Sequence, residues 1–154
     1  MINSLPVDSV DRTANDNAGL QLLPLLISLS KSTNALLGLR LAAIGLRIGQ
    51  DEALLAVHAA EPTSSGAVAA KLGIRPSMAT TLLGLLSEKG LVRPGSRGEG
   101  VVATAAGVTA QQEVRRLYRQ IEAELLPVQR ENEQLIGDLV EMQKRLGRLL
   151  TSLG

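Results

Sequence analysis

Three hydroxyl residues, Ser77, Thr80 and Thr81, lie close together near the middle of the chain, beside Met78. Around them, apolar residues recur at helical spacing and define one buried face: Ala79, Leu82, Leu83 and Leu86. The hydroxyls then lie on the opposite face, where they could bond to phosphates or to base edges, and threonine or methionine methyls could contact thymine methyls. Alternatively, these residues are ordinary solvated positions of a surface helix.

Positive charge is concentrated in the same region. Between Pro62 and Thr104, five basic residues stand against two acidic ones, an excess of three, whereas the whole chain carries only +1. The basic residues are Lys71, Arg75, Lys89, Arg93 and Arg97. This modest excess of positive charge could attract a polyanion. Lys89 and Arg93 fit a phosphate contact and a plain solvated charge equally well.

The sequence offers no catalytic or metal-binding set. It has no cysteine and one histidine, His58, so a zinc site would have to be built almost entirely from carboxylates, and a nucleophile–base pair is missing. The glycines are scattered and form no phosphate-binding loop. We therefore expect no enzyme, no cofactor and no metal, with His58 near the end of a second helix over residues 50–60.

The hydroxyls belong to a helix-turn-helix followed by a hairpin. Ser64 is a suitable N-cap for a helix over residues 65–72, and Gly73 can end it. Pro76 then starts a second helix over residues 76–89. Glycine and proline residues mark the tip of a β-hairpin over residues 91–103. This winged helix-turn-helix shape can place its second helix in the major groove and its hairpin beside it.

Long apolar helices flank this lobe, which covers residues 50–104. The sequence predicts one helix over residues 24–44 and two over residues 105–153, broken at Pro127. In the two C-terminal helices, apolar residues recur by alternating steps of four and three, as in a heptad repeat, and Asn132 is the one polar residue of this series. We expect this surface to form a homodimer, although packing on the protein's own first helix is the alternative. The predicted dimer residues are Leu25, Leu29, Leu36, Ile121, Leu135, Leu139, Leu146 and Leu149.

The stretch from Leu41 to Pro94, LAAIGLRIGQDEALLAVHAAEPTSSGAVAAKLGIRPSMATTLLGLLSEKGLVRP, resembles the MarR family of bacterial transcription regulators. VVATAAG is similar to the family's V-x-L-T-x-x-G at the end of the wing. The resemblance implies a mainly α fold with a hairpin wing, a dimer and a DNA-binding regulator, expected to be a repressor. It implies one domain over residues 17–154. Residues 1–16 are polar, mixed in charge and without periodicity, and we expect them to form a disordered arm.

The resemblance also carries over site residues. The predicted DNA contacts are Ser64, Arg75, Pro76, Ser77, Met78, Thr80, Thr81, Lys89, Arg93 and Arg97. Arg97 matches the wing arginine of a D-x-R element, whereas Gly95 stands where its aspartate would be, and Thr81 and Leu85 stand where arginines are common. Base readout by a bidentate arginine is therefore missing from the helix interior. We predict weak or shape-based specificity that depends strongly on salt.

Two further expectations concern partners. Members of the family often bind small molecules, and an aliphatic pocket here could use polar anchors from Arg40, Arg47, His58, Arg115 and Tyr118. The absence of a basic leader and the shortness of the uncharged residues 17–30 predict a cytoplasmic protein without a membrane span, nucleoid-associated when bound to DNA. The alternative function is a protein-interaction module that uses Leu83, Leu85 or the C-terminal helices.

Overall fold

The computed structural model describes residues 21–126 and 129–153. Its elements are α1 (Leu22–Ala43), α2 (Gln50–Ala56), α3 (Ser65–Leu72), α4 (Pro76–Glu88), β1 (Val92–Pro94), β2 (Val101–Ala103), α5 (Ala105–Leu125) and α6 (Gln129–Ser152). A turn over Ser96–Gly98 joins the strands, and the Gly98 N–H donates to the Gly95 carbonyl at 3.2 Å. The predicted fold class, mainly α with a small hairpin wing, is confirmed. The predicted arm over residues 1–16 and the break at Pro127 lie outside the described residues.

Two compact units divide the chain between Gln111 and Gln112. The first holds α1 to α4, the hairpin and the start of α5, and the second holds the rest of α5 together with α6. In the second unit, the Asn132 side chain donates to the Leu126 carbonyl at 3.2 Å. Asn132, the one polar residue of the predicted heptad pattern, therefore binds the residue that follows α5. A single domain over residues 17–154 stays a prediction.

Local sequence signals produce the helix-turn-helix. The Ser64 hydroxyl accepts from the Ala67 backbone N–H at 3.1 Å and caps α3. Gly73 ends α3 in the left-handed conformation, with φ +66°. Arg75 is extended, and Pro76 takes the first position of α4, where no backbone donor is needed. These features fix the turn between the two helices.

The core of the first unit lies beneath α4, on which α2 and α3 pack. Leu54 of α2, Val68 of α3 and Leu86 of α4 are completely buried, and Leu83 and Ala79 are buried beside them. Burial of a leucine or valine side chain typically stabilises a fold by about 1.5–3 kcal/mol. The inward face of α4 leaves the opposite face, with its hydroxyls, exposed.

The second helix is shorter than its sequence predicts. It ends at Ala56, because Val57 is extended, with φ −90° and ψ 139°. The buried Gln111 amide donates to the carbonyls of Leu54 and Val57, at 2.7 and 2.8 Å, and satisfies the helix end from a distant part of the chain. The expected position of His58 on this helix is wrong: His58 lies beyond it, and its carbonyl accepts from the Ala103 N–H at 2.8 Å.

Large apolar side chains are exposed on α1 and α6. On α1, Leu25 and Leu29 are 56% and 53% exposed, and Leu36 is half-buried. On α6 the exposed ones are Leu135, Ile136, Leu139, Val140, Leu146, Leu149 and Leu150. By length and composition alone, α1 could cross a membrane, a criterion that core helices of soluble proteins and signal sequences also meet. So many exposed large apolar side chains on one helix are typical of an interaction site.

Candidate nucleic-acid interface

The outer face of α4 carries no cation. Arg75 precedes the helix and Lys89 follows it, and the one charged residue within Pro76–Glu88 is the acidic Glu88. Ser77, Met78, Thr80, Thr81 and Leu85 are exposed together on this face; Met78 is 49% and Leu85 is 38% exposed. The face is therefore a mixture of hydroxyls and apolar side chains.

Two of its hydroxyls bond to their own helix. The Thr80 hydroxyl donates to the Pro76 carbonyl, and the Thr81 hydroxyl donates to the Ser77 carbonyl, both at 3.0 Å. A hydroxyl has one hydrogen and two lone pairs, so these two oxygens are left as acceptors. What Thr80 and Thr81 offer to solvent is an acceptor oxygen and a methyl group each.

The wing, residues 91–103, is a three-residue antiparallel pair anchored to the segment before α3. Val92 is opposite Ala103 and Pro94 is opposite Val101. On the other side of β2, Thr63 and Val101 exchange two backbone hydrogen bonds, at 2.8 and 3.0 Å. The base of the wing is thereby fixed to the loop that leads into α3.

Two wing glycines are packed against that same loop. A β-carbon on Gly95 would lie 2.5 Å from the Glu99 carbonyl oxygen and 2.8 Å from Cγ of Pro62. A β-carbon on Gly100 would lie 2.6 Å from the carbonyl oxygen of Thr63. Neither position has room for a side chain. The aspartate that the family pattern places at Gly95 is therefore sterically excluded here.

Arg97 lies at the tip of the wing in an unusual backbone conformation. Its φ is +70°, and within residues 21–126 and 129–153 it is the one non-glycine residue with positive φ. The left-handed conformation costs an L-residue about 1–2 kcal/mol. The side chain is exposed. Such strain is concentrated at functional sites in folded proteins, and here it places a guanidinium at the wing tip.

Two other predicted cations, Lys89 and Arg93, have contacts within the protein. The Lys89 ammonium donates to the Gly45 carbonyl at 2.7 Å, and the Arg93 guanidinium donates to the Pro94 carbonyl at 3.3 Å. An ammonium has three N–H donors and a guanidinium has five, so both retain donors for a phosphate. Ser64 caps α3 with its hydroxyl, and Arg75 is exposed at the start of α4. All ten predicted DNA contacts lie in the first unit; their role stays a prediction.

Comparison with solved structures identifies the architecture. A MarR-family transcriptional regulator from a Rhodococcus species has a TM-score of 0.66 at 21% identity, over 86% of this chain and 94% of that chain. The chain has the MarR fold. The S. aureus MepR–DNA complex is similar at TM-score 0.68 and 20% identity, over 79% of this chain and 95% of that one. CouR from Rhodococcus jostii, bound to p-coumaroyl-CoA, gives 0.67 and 19%, over 82% and 91%. No protein-family profile and no curated protein sequence matches the chain.

The residues predicted to hold an effector fall in both units of the MarR fold. Arg40, Arg47 and His58 belong to the first unit, and Arg115 and Tyr118 belong to the second. His58 lines an open cleft of about 460 Å³, shared with Glu61, Pro62, Thr63, Ser64, Ala67, Glu99 and Gly100. Arg40 and Arg47 do not line this cleft. Among the described residues, no group of three or more acidic or histidine side chains could hold a metal ion.

Sequence reasoning missed two residues that position the interface. A β-carbon on Gly107 would collide with the carbonyl of Leu91, so the start of α5 touches the first residue of the wing. Gln111, a turn later, binds the end of α2. Gly107 stands at the last position of the VVATAAG motif, which was a usable signal. Nothing in the local sequence marks Gln111.

Proposed function

We propose that this protein is a transcription regulator that binds duplex DNA as a homodimer, with α4 in the major groove and the wing near the minor groove. The observation that carries the proposal is the arrangement of the first unit. An exposed face of α4, free of positive charge, lies in the same compact unit as a wing that presents Arg97. A helix with this placement fits the major groove, and an arginine at a wing tip suits a narrow minor groove.

Known MarR-fold proteins support the same function. MepR is similar over most of both chains and was solved on DNA. CouR was solved with a coenzyme A thioester, so a small-molecule effector is part of the proposal. Binding rather than catalysis is what we assign to the chain. As a regulator of this kind it acts in the cytoplasm, on the nucleoid, and we place it as a repressor.

The apolar surfaces of α1 and α6 support the homodimer. Leu139, Leu146 and Leu149 are 45%, 50% and 60% exposed in the single chain. Ile121 is half-buried. A second copy of the chain would bury this surface. Burial of apolar surface favours association by about 25 cal/mol per Å², from which the entropic costs of association must be subtracted. Dimerisation also supplies two reading helices, which a palindromic site with half-sites ~34 Å apart requires.

One observation favours a protein-interaction module as a second candidate. Met78 and Leu85 expose apolar surface on α4, and Leu85 stands where members of the family often carry an arginine. Leu83, which was also expected to serve such a partner, is only 6% exposed, and its burial removes it from the candidate surface. The second candidate therefore depends on Met78 and Leu85. A protein-interaction module of this kind does not explain why Arg97 is held in a strained conformation at the wing tip.

A salt series of DNA binding separates the two candidates. Affinity for mixed-sequence duplex, measured by fluorescence anisotropy between 50 and 200 mM salt, should fall linearly on a log–log plot. Arg97→Ala should weaken binding and reduce the magnitude of the slope by ~0.9 for each arginine that contacts a phosphate. Lys144→Ala, which removes the same charge from an exposed position on α6, should leave the slope unchanged. Absence of binding at 50 mM salt contradicts the proposal.

A further inference from the structure

The side-chain chemistry of α4 restricts which bases it can read, provided that the proposed DNA binding is correct. In the major groove guanine presents two acceptors, cytosine presents an amino donor, adenine presents an acceptor and an amino donor, and thymine presents an acceptor and a methyl group. Reading guanine therefore needs protein donors, usually from arginine or lysine. The described helix Pro76–Glu88 contains neither residue.

The two threonines do not supply the missing donors. Their hydroxyl hydrogens are used in the bonds to Pro76 and Ser77, at 3.0 Å each. Their oxygens can still accept, and an amino group of adenine is a suitable donor for them. A guanine at the same place would put acceptor against acceptor. The two threonine oxygens therefore suit the amino group of adenine or of cytosine and disfavour guanine, and the choice between A·T and G·C pairs depends on the apolar part of the face.

The apolar part of the face points to the A·T pair. Met78 and Leu85 are 49% and 38% exposed, and each threonine adds a methyl group. The thymine C5-methyl is the one apolar group that the four bases present in the major groove. Burying it against these side chains removes apolar surface from water on both partners.

We infer that α4 reads thymine methyl groups, with Met78, Thr81 and Leu85 as the specificity-determining side chains, so that the protein selects A·T-rich half-sites through the major groove. Burial of one methyl group is worth about a fourfold change in affinity. In a two-fold site with one buried methyl in each half, the factor is about 15.

The test replaces thymine by deoxyuridine, which removes the methyl and keeps base pairing and the minor-groove acceptors. A duplex is first selected from a random library with the full chain, and its Kd is measured in thymine and deoxyuridine forms at one salt concentration. We expect the deoxyuridine form to bind four- to fifteenfold more weakly. Arg97→Ala should weaken both forms and leave their ratio unchanged, because the wing contacts another groove.

Conservative variants at Thr81 separate its methyl from its hydroxyl. Thr81→Ser removes the methyl and should lower the thymine-to-deoxyuridine ratio, as should Met78→Ala. Thr81→Val keeps a methyl, removes the acceptor and should retain most of the ratio. Thr109→Ser on α5, where the hydroxyl makes the same kind of bond to Ala105 at 3.2 Å, is the matched control and should change nothing.

The outcomes distinguish this inference from the function on which it rests. Equal affinity for both forms overturns methyl reading and leaves DNA binding standing. A ratio that is unaffected by Thr81→Ser and Met78→Ala also overturns it. If no duplex binds at 50 mM salt, DNA binding itself fails, and a protein that docks on Met78 and Leu85 takes its place.

Discussion

The helix α4 and the wing present opposite chemistry and are built under opposite constraints. The outer face of α4 has methyl groups and acceptor oxygens, whereas the wing carries Arg93 and Arg97 against the single acidic residue Glu99. A β-carbon on Gly84 of α4 meets nothing within 4 Å, whereas one on Gly95 meets both Glu99 and Pro62. The outer face of α4 at Gly84 can accept a side chain at little cost in stability, whereas a side chain at Gly95 would force neighbouring atoms of the wing to move. The positive charges that can attract phosphate therefore lie on the wing, the element whose backbone is more closely packed.

The largest effect is expected where the wing begins. Gly107→Ala places a methyl group on the carbonyl of Leu91, which cannot retreat without moving β1. Overpacking of this kind costs typically 1–3 kcal/mol, and a backbone neighbour places this variant at the upper end of the range. Urea denaturation of the full chain measures the loss. Gly137→Ala in α6, where a β-carbon has open space, should instead gain ~0.5–1 kcal/mol.

A pair of glycine substitutions compares the helix and the wing directly. Gly84→Ala should raise the free energy of unfolding by ~0.5–1 kcal/mol, because alanine favours helix and has room. Gly95→Ala should lower it by ~1–3 kcal/mol, because its β-carbon would lie 2.5 Å from the Glu99 carbonyl oxygen. Thermal or urea unfolding of the two variants and of the unmodified chain measures both changes in the free energy of unfolding. Two changes of the same sign would remove the contrast between the elements.

A smaller effect tests the strain at the wing tip. Arg97→Gly and Arg97→Ala both delete the guanidinium, but glycine adopts φ +70° without steric cost. The glycine variant should be more stable than the alanine variant by ~1 kcal/mol. At Arg93, in a strand, the order should reverse, by ~0.5–1 kcal/mol, because glycine weakens strands. An Arg97→Ala variant at least as stable as Arg97→Gly would show that Arg97 is not strained.

Local signals explain how much of this fold could be predicted. Ser64, Gly73 and Pro76 punctuate the chain within a few residues of the elements they control, and they placed α3 and α4 correctly. The end of α2 is bound by Gln111, more than fifty residues away in sequence. Because local periodicity contains no trace of this contact, the sequence predicted a helix that continues to residue 60, four residues too far. The MarR resemblance gave the architecture as a whole.

The candidate site was predictable in its residues and less so in its chemistry. The outer face of α4 follows from helical spacing, and the structure exposes the residues that the spacing selects. That the Thr80 and Thr81 hydroxyls bond backwards, and that Arg97 is left-handed, depend on rotamers and backbone angles that no spacing encodes. The exclusion of a side chain at Gly95 depends on Pro62, which approaches it only in the folded chain.

The central claim is that two copies present their α4 helices to one duplex. Native mass spectrometry of the full chain with a duplex selected from a random library tests it most directly. The predicted result at micromolar protein is two chains, each of 16.2 kDa, on each duplex. A complex with one chain per duplex, or free protein of single-chain mass beside unbound DNA, would contradict it.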